Sequence, residues 1–445
     1  MATSIARGFI AKYILVIYLL AFTTASGSDI GNIGATRTTK ATQDGNDNND
    51  IRITTPPADL RSCPNLRIAV VNGVPYHHDV LAGLLHVLRP YAAHTDVYIN
   101  RYTRASTSDG AWDLLKWSKS NFLLLTRGLL ASLSRKPTFY DLVILVSPEY
   151  ELDANAELLR HVRRRLTIAF VHNSDWDEQR LINVVKNGST DGVRLVTLSP
   201  HTAGSLAATL AESRQQQQPS YPVDWQLAVL PFKPRSNCLE ASEVDLLGRC
   251  LRGFSMQGKF SNLRRNYSAI WDQLLAHRRE LTSGNAVHLF HLNLLGKGQD
   301  GRLNMPSELE KHVSLLRRLR YTSFYEAIHH TFALIPALAS EKYYTVKFSS
   351  TILTSLVSGT PLIADKRFLS SYGMFSEDAV YLQHEGEQEV DVMLRVMLKT
   401  SVPELLGVRK ALLGVRQRLN ERAAAFYAEI LSGLCKQSSS SGGVA

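Results

Sequence analysis

The sequence predicts an α/β fold of two parallel, doubly wound sheets in tandem, closed by helices at the C-terminus. Three observations predict it. The chain has 445 residues, more than one hydrophobic core holds. Short apolar runs of the kind buried in a parallel sheet recur along it, each following a helical or loop segment, which is the rhythm of βαβ units. That rhythm pauses once, after Pro231 and Pro234, and then resumes, which divides it into two series.

At the N-terminus, Arg7 and Lys12 precede the uncharged run Tyr13–Ala25, YILVIYLLAFTTA, and no acidic residue occurs before Asp29. This is a signal for the secretory pathway. Within residues 1–25 two forms are open: a cleavable signal peptide with small residues at Ala25, Ser26 and Gly27, or a signal anchor that reaches back to Gly8 with Lys12 snorkelling to the headgroups. The anchor is favoured because residues 26–65 begin as a polar, Thr/Asn/Asp-rich stretch with the composition of a disordered stalk. The sequons at Asn187 and Asn266 fit a luminal address.

The first domain is expected over residues 66–232. It opens with the strand LRIAVV from Leu66, the loop Asn72–Asp79, and a helix with Val80, Leu81, Leu84, Leu85 and Leu88 on its apolar side. Further strands are expected at Asp96–Ile99, Asp141–Val146, Leu166–Val171, Arg194–Leu198 and Gln226–Leu230, with an exposed loop at Gln215–Gln218. A linker at 233–250 precedes the second domain, 251–384. Its strands are expected at Gly253–Gln257, Val287–Leu292, Phe332–Ile335, Leu362–Ala364 and Val380–Leu382, with helices such as Tyr267–His277 and Glu308–Leu319 between them. Residues 385–434 read as helices at Val390–Lys399 and Leu405–Leu431, and 435–445 as a flexible Ser/Gly tail.

Fifty Lys and Arg against forty Asp and Glu give a net charge of +10, which favours anionic ligands or surfaces. The cations are dispersed apart from Arg163–Arg165 and Arg317–Arg320, and no basic arm or aromatic RNA-binding signature occurs, so nucleic acid is not an expected partner. Cys63, Cys238, Cys250 and Cys435 have no metal-ligand spacing, so no structural zinc is expected. In an oxidising compartment Cys238 can pair with Cys250 and Cys63 with Cys435; buried free thiols are the alternative.

Lys347–Asp365 concentrates the most information. Ser349, Ser350 and Thr351 are helix N-cap residues, and Ile352, Leu353, Leu356 and Val357 form one apolar stripe behind them. Gly359 ends the helix, and Leu362–Ala364 is a buried strand. A helix N-terminus just past the carboxyl end of a strand is an anion pocket in principle. The run SxxxxSLVSGTPLI resembles the donor-binding helix of GT-B glycosyltransferases, a helix ending in G-x-P before a buried strand. The retaining members that carry two Glu residues around this helix would place them near Val346 and Thr354, where this chain has none.

The resemblance implies two tandem Rossmann-like domains in a GT-B-like arrangement, acceptor side first and nucleotide-sugar donor side second, with C-terminal helices crossing back. It implies a hexosyltransferase-type activity toward a glycan, lipid or protein acceptor, and a membrane stem with a luminal catalytic domain like that of Golgi glycosyltransferases, in the Golgi or ER membrane or secreted. No cofactor is expected beyond the nucleotide sugar as substrate. His78 supported by Asp79 is the expected base for the acceptor hydroxyl, and His172 matches the sugar-contacting histidine of retaining families. Gly258, Lys259, Arg264 and Arg265 resemble the basic turn that holds the donor diphosphate, joined by Ser349, Ser350 and Thr351, with Lys259 and Lys347 as substitutes. Gly296 lies in a glycine turn toward the nucleotide, and Tyr325 and Glu326 are candidates for base stacking and ribose binding. The rival is a metal-dependent GT-A transferase that uses Asp175 and Asp177 of the D-x-D at 175–177; a non-catalytic nucleotide-sugar-binding protein is a further alternative. The expected mechanism is metal-independent.

Overall fold

The computed structural model describes residues 63–104, 109–150, 152–175, 178–186, 189–213, 221–281, 283–284, 286–298 and 303–441. The Tyr13–Ala25 run, the stalk up to residue 62, Asp177, Asn187 and the Gln215–Gln218 loop lie outside them. Among the described residues no helix is long and apolar enough to cross a membrane.

An unbroken apolar run at Leu66 makes strand β1 (Ile68–Asn72), which is buried along its whole length because helices cover both faces of a parallel sheet. Strands β2 (Thr95–Asn100), β3 (Asn121–Leu125), β4 (Thr138–Val146), β5 (Val162–Val171), β6 (Ser189–Thr197) and β7 (Val223–Trp225) complete a parallel sheet in the order β3-β2-β1-β4-β5-β6-β7. The second sheet holds β8 (Phe254–Lys259), β9 (Leu292–Lys297), β10 (Val313–Arg317) and β11 (Ala333–Leu334) in the order β10-β9-β8-β11. A parallel bridge from Leu334 to Leu362 carries it on to the pair β12 (Ile363–Ala364) and β13 (Tyr381–Leu382). In each sheet the order reverses beside the first strand, between β1 and β4 and between β8 and β11, so each has its switch point where open α/β sheets bind ligands. The fold is therefore the expected pair of Rossmann-like domains, and both belong to one compact unit, Ile51–Ala445.

Several elements differ from expectation, each for a local reason. Val287–Leu292 holds a helical turn at Ala286–Leu289, and the strand begins only at Leu292. Glu308–Leu319 is not a helix but a 3-10 turn at Ser307–Leu309 followed by β10, a half-buried edge strand whose short apolar run does not separate the two periodicities. The edge strand β3 was not expected at all. Gln226–Leu230 joins no ladder: the strand ends at Trp225, and the side chain of Asn420 instead takes the main chain of Val229, accepting from its N–H at 2.7 Å and donating to its carbonyl at 2.9 Å.

That contact belongs to the last helix, Val402–Ser441, which crosses from the second domain to the first. Buried Arg409 donates to the carbonyls of Gly359, His329 and Thr331 in the second domain. Further along, Arg422 pairs with Asp224 at 3.0 Å, and Cys435 is disulfide-bonded to Cys63 just before β1. Cys238 and Cys250 form the second disulfide, within the linker. The helix His78–Val87 lies close against the same inter-domain layer: a Cβ at Gly83 would sit 2.0 Å from the carbonyl oxygen of Ala228, so that position admits only glycine.

Candidate functional site

The carboxyl edges of β1, β4 and β5 face that of β8 and the N-terminus of the helix Ser350–Ser358 across a cleft of about 390 Å³. On the first domain's side, the loop after β1 is tied down by Asn100, whose amide donates to the Gly73 carbonyl at 2.6 Å, and by Asn72, which donates to the Tyr76 carbonyl at 3.1 Å. The loop ends at His77, held in the left-handed region with φ 59° and ψ 29°. That turn decides which histidine meets the cleft. His77 lines it, whereas His78 turns inward, 2% exposed, with Nε2 3.1 Å from the Thr103 hydroxyl. His78, the expected base, is thus turned away from the cleft, and its neighbour His77 lines it instead. Asp79 does line the cleft, accepts from the Val80 N–H at the helix start, and is raised by burial above the usual carboxylate range.

Ser147, the first residue after β4, lies between His77 and His172, the first residue after β5. Its Oγ is 2.6 Å from His77 Nδ1 and 3.0 Å from His172 Nε2, and the two rings stack with centroids 4.1 Å apart. Ser147 also has a positive φ, 58°, so two residues with side chains hold left-handed backbone at one spot, at a cost of roughly 1–2 kcal/mol each. Burial, with the neighbouring His78 and Arg264, lowers His77 to about 3; burial, with His77, lowers His172 well below the usual range. Both imidazoles are neutral. Beneath them Glu149 accepts from the His172 main-chain N–H at 2.8 Å, its other oxygen buried without a partner, and burial raises its carboxyl to about 8.

The second domain's side is cationic. Gly258, Lys259, Arg264, Arg265, Lys342, Lys347 and Ser350 line it. The two arginines divide the work. Arg265 is 3% exposed and spends its donors on structure: Nε on the Gln257 carbonyl at 3.2 Å, Nη1 on the Arg264 carbonyl at 3.0 Å, Nη2 on the Thr351 hydroxyl at 2.7 Å. Arg264 is exposed at the cleft and makes no ion pair among the described residues. Of the helix start, Ser350 faces the cleft. Thr351 is buried under Arg265 and Gln257, and Ser349 is buried with its N–H given to the Tyr372 hydroxyl at 3.3 Å.

Three expected residues are elsewhere. Gly296 sits within β9 against Gly258, where a Cβ would meet the Gly258 carbonyl oxygen at 1.8 Å; it serves strand packing rather than a turn. Tyr325 is buried in the core between Tyr321, Phe324 and Phe232. Glu326 pins the linker by accepting from the Arg235 N–H and from His330. Asp175 is taken by two cations of the opposite domain, Lys342 at 3.0 Å and Lys347 at 3.4 Å. Burial works to raise its carboxyl, and the two ammonium groups outweigh this and hold it low. Ser147, Tyr150, Asn173, Lys342 and Tyr343 were not singled out from the sequence, which placed His77 beside His78 in the loop but chose His78; the only signal for Ser147 was its place at the end of the buried run DLVILV.

No protein-family model and no curated protein matches the sequence. Solved structures do match the fold. Anabaena HepE in complex with UDP and glucose superposes with a TM-score of 0.55 at 12% identity, over 83% of this chain and 100% of that one. The HepE complex with UDP gives 0.53 at 12% identity over the same shares, and OtsA without ligand gives 0.51 at 10% identity, over 82% of this chain and 99% of that one. The architecture is thus the GT-B fold, two Rossmann-like domains with crossing C-terminal helices.

Proposed function

We propose that this protein is a glycosyltransferase that moves a sugar from a nucleotide-sugar donor to an acceptor hydroxyl on a glycan, lipid or protein. One observation carries the reading: a single cleft sets unpaired cations on one wall against two neutral, mutually fixed imidazoles on the other. The cationic wall suits a diphosphate. Arg264 and Lys259 supply charge, and the N-terminus of Ser350–Ser358 supplies main-chain N–H groups beside Ser350. The fold neighbours with UDP in their complexes support the same assignment.

On the other wall His77 is the group for the acceptor proton. Held at about 3 it is a weak base, and one of the causes is the positive charge of Arg264. Burial is the largest cause and His78 the next; a bound diphosphate neutralises the smaller contribution of Arg264 and brings negative charge beside the ring, and both act to raise His77. The acceptor oxygen then attacks the sugar while the diphosphate leaves against Arg264 and the helix N-terminus. With these cations in place the reading is metal-independent, and Asp175, engaged by two lysines, is not a ligand in it. A luminal location in the ER or Golgi, membrane-anchored or secreted, remains part of the proposal; the N-terminal run motivates it, and two disulfides are at home in an oxidising compartment.

Thermal-shift and calorimetric titration of the purified chain with nucleoside diphosphates and nucleotide sugars test the reading, since a ligand at a hundred times its Kd stabilises by about 2.7 kcal/mol. Binding of at least one diphosphate, with slow hydrolysis of the matching nucleotide sugar, is expected. Diphosphate binding without any hydrolysis or transfer would leave a binding protein, and no binding at all would overturn the assignment of the cleft.

A further inference from the structure

Ser147 has one hydroxyl proton and two ring nitrogens to satisfy, His77 Nδ1 and His172 Nε2. With both rings neutral, two arrangements satisfy both bonds. In one, Ser147 donates to His77 Nδ1 and accepts from His172 Nε2–H, so His77 carries its proton on Nε2 and His172 has a bare Nδ1. In the other, Ser147 donates to His172 Nε2 and accepts from His77 Nδ1–H, so His77 Nε2 is bare and His172 carries its proton on Nδ1. Those two outer nitrogens, His77 Nε2 and His172 Nδ1, make no hydrogen bond among the described residues, and both rings line the cleft.

We infer that Ser147 couples the tautomers of His77 and His172, so that the pair always offers the cleft one N–H donor and one bare nitrogen, and that this matched pair is the subsite for two hydroxyl groups of a sugar. A hydroxyl that donates to one ring and a neighbour that accepts from the other satisfy it together. A ligand with a single acceptor atom, or with two, does not. The arrangement in which His77 Nε2 is bare is also the one that serves an acceptor proton, so Ser147 is a positioning residue: it selects the tautomer without touching the substrate. The left-handed backbone at both His77 and Ser147, and burial of Ser147 to 1% and His172 to 6% exposure, hold the three groups in one geometry. Among the described residues, Glu149 bonds the main chain of His172, not its ring, and Tyr76 and Tyr150 meet the His77 ring at an edge. The sugar-subsite part rests on the glycosyltransferase reading; the tautomer coupling does not.

Long-range ¹H–¹⁵N correlation spectra of the full chain labelled with ¹⁵N-histidine test it, with His77→Gln and His172→Gln used for assignment. Like tautomers, both rings Nε2–H or both Nδ1–H, or two exchanging populations always alike, are expected for the two rings. Ser147→Gly, which suits the left-handed backbone, should abolish the match and lower kcat at least tenfold while donor KM stays within twofold. Free glucose, galactose or mannose should shift the populations to one arrangement. Opposite tautomers in the native protein, or a match that survives in Ser147→Gly, would overturn the coupling. Coupled tautomers unmoved by all three hexoses would overturn the subsite. Coupled and sugar-responsive tautomers with no transfer from any nucleotide sugar would spare this inference and remove the transferase reading.

Discussion

The two walls of the cleft are built on the same topology and solve opposite problems. The first domain brings polar groups into a closed network, where Ser147, His172 and Glu149 are buried and His77 half-buried, neutral or driven toward neutrality, and fixed by bonds to one another. The second domain leaves cations open: Arg264 and Lys259 stand at the surface, and the buried Arg265 is consumed in holding the turn. A wall that must recognise a fixed negative charge can stay solvated until the ligand arrives. A wall that must hold a proton in one place has to exclude water and lock its tautomers beforehand.

Removing the proton-handling ring should therefore separate the walls most sharply. His77→Ala is expected to lower transfer by about 10²–10⁴, the usual contribution of a positioned base, with nucleoside-diphosphate affinity unchanged. Rate and calorimetric Kd measured on one preparation check it; a parallel loss of affinity would mean the walls do not act separately. His78→Ala, by contrast, should act on stability through its buried contact with Thr103, and not on the chemical step.

The charged wall should respond in the opposite sense. Arg264→Ala is expected to weaken diphosphate binding by roughly tenfold to a hundredfold, from about 1.5–3 kcal/mol for a charge-assisted hydrogen bond, with the melting temperature unchanged. Arg265→Ala should instead lower the melting temperature, because it takes a donor from the Thr351 hydroxyl, from the buried Gln257 carbonyl and from the Arg264 carbonyl. If the two variants exchange these phenotypes in calorimetry and thermal melts, the division of labour drawn here is reversed.

The same contrast governs what could be read from residues alone. The tandem βαβ rhythm is legible because both faces of a parallel sheet are covered, which writes buried strands as continuous apolar runs. The edge strands β3 and β10 are only half covered and lack that mark. A pair of arginines after a strand announces a basic turn, but adjacent residues on a turn point apart, so which of Arg264 and Arg265 reaches the ligand is set by the buried Thr351. On the other wall, His77 and His78 differ only through a left-handed residue that sequence does not signal at a histidine. Ser147 is an ordinary serine until β4 and β5 place it between two rings.

Burial of that network should also appear in the pH dependence of stability. Glu149 rises to about 8 in the folded chain from 4.5, so the folded state binds more protons between those values, and its contribution, full below about 4.5, is lost as pH rises through about 8. His77, His78 and His329, lowered to about 3, 4 and 4, act oppositely: their contribution is present above 6.5 and is lost as pH falls toward those values. Above 6.5 the histidines have nothing further to add, so the decline between 6.5 and 8 belongs to carboxyls such as Glu149, at up to about 1.4 kcal/mol per pH unit for one proton. Glu149→Gln, which cannot titrate, should flatten that decline in thermal melts and leave the acid side as it was; an unchanged alkaline slope would show that Glu149 is not protonated in the folded chain.

The smallest effect is expected where the walls touch. Asp175 of the first domain meets Lys342 and Lys347 of the second, and its side chain and both lysines are partly solvated. Partly exposed ion pairs contribute about 0.2–1 kcal/mol, so Asp175→Asn should change donor affinity by at most about fivefold, and it frees Lys347, which lines the cleft, to add to the cationic wall. Two opposing small terms leave little net change. A carboxylate that bound a divalent ion under the diphosphate would behave otherwise: its amide variant would lose most activity, and chelation would mimic the loss in the native protein. Transfer assays with and without EDTA, on the native chain, Asp175→Asn and Asp177→Ala, distinguish the two. Activity that survives in all of them is expected from a site whose positive charge is already built into Arg264 and Lys259; loss in EDTA restored by Mn²⁺ would place the metal-dependent chemistry on the 175–177 segment and make the cationic wall secondary.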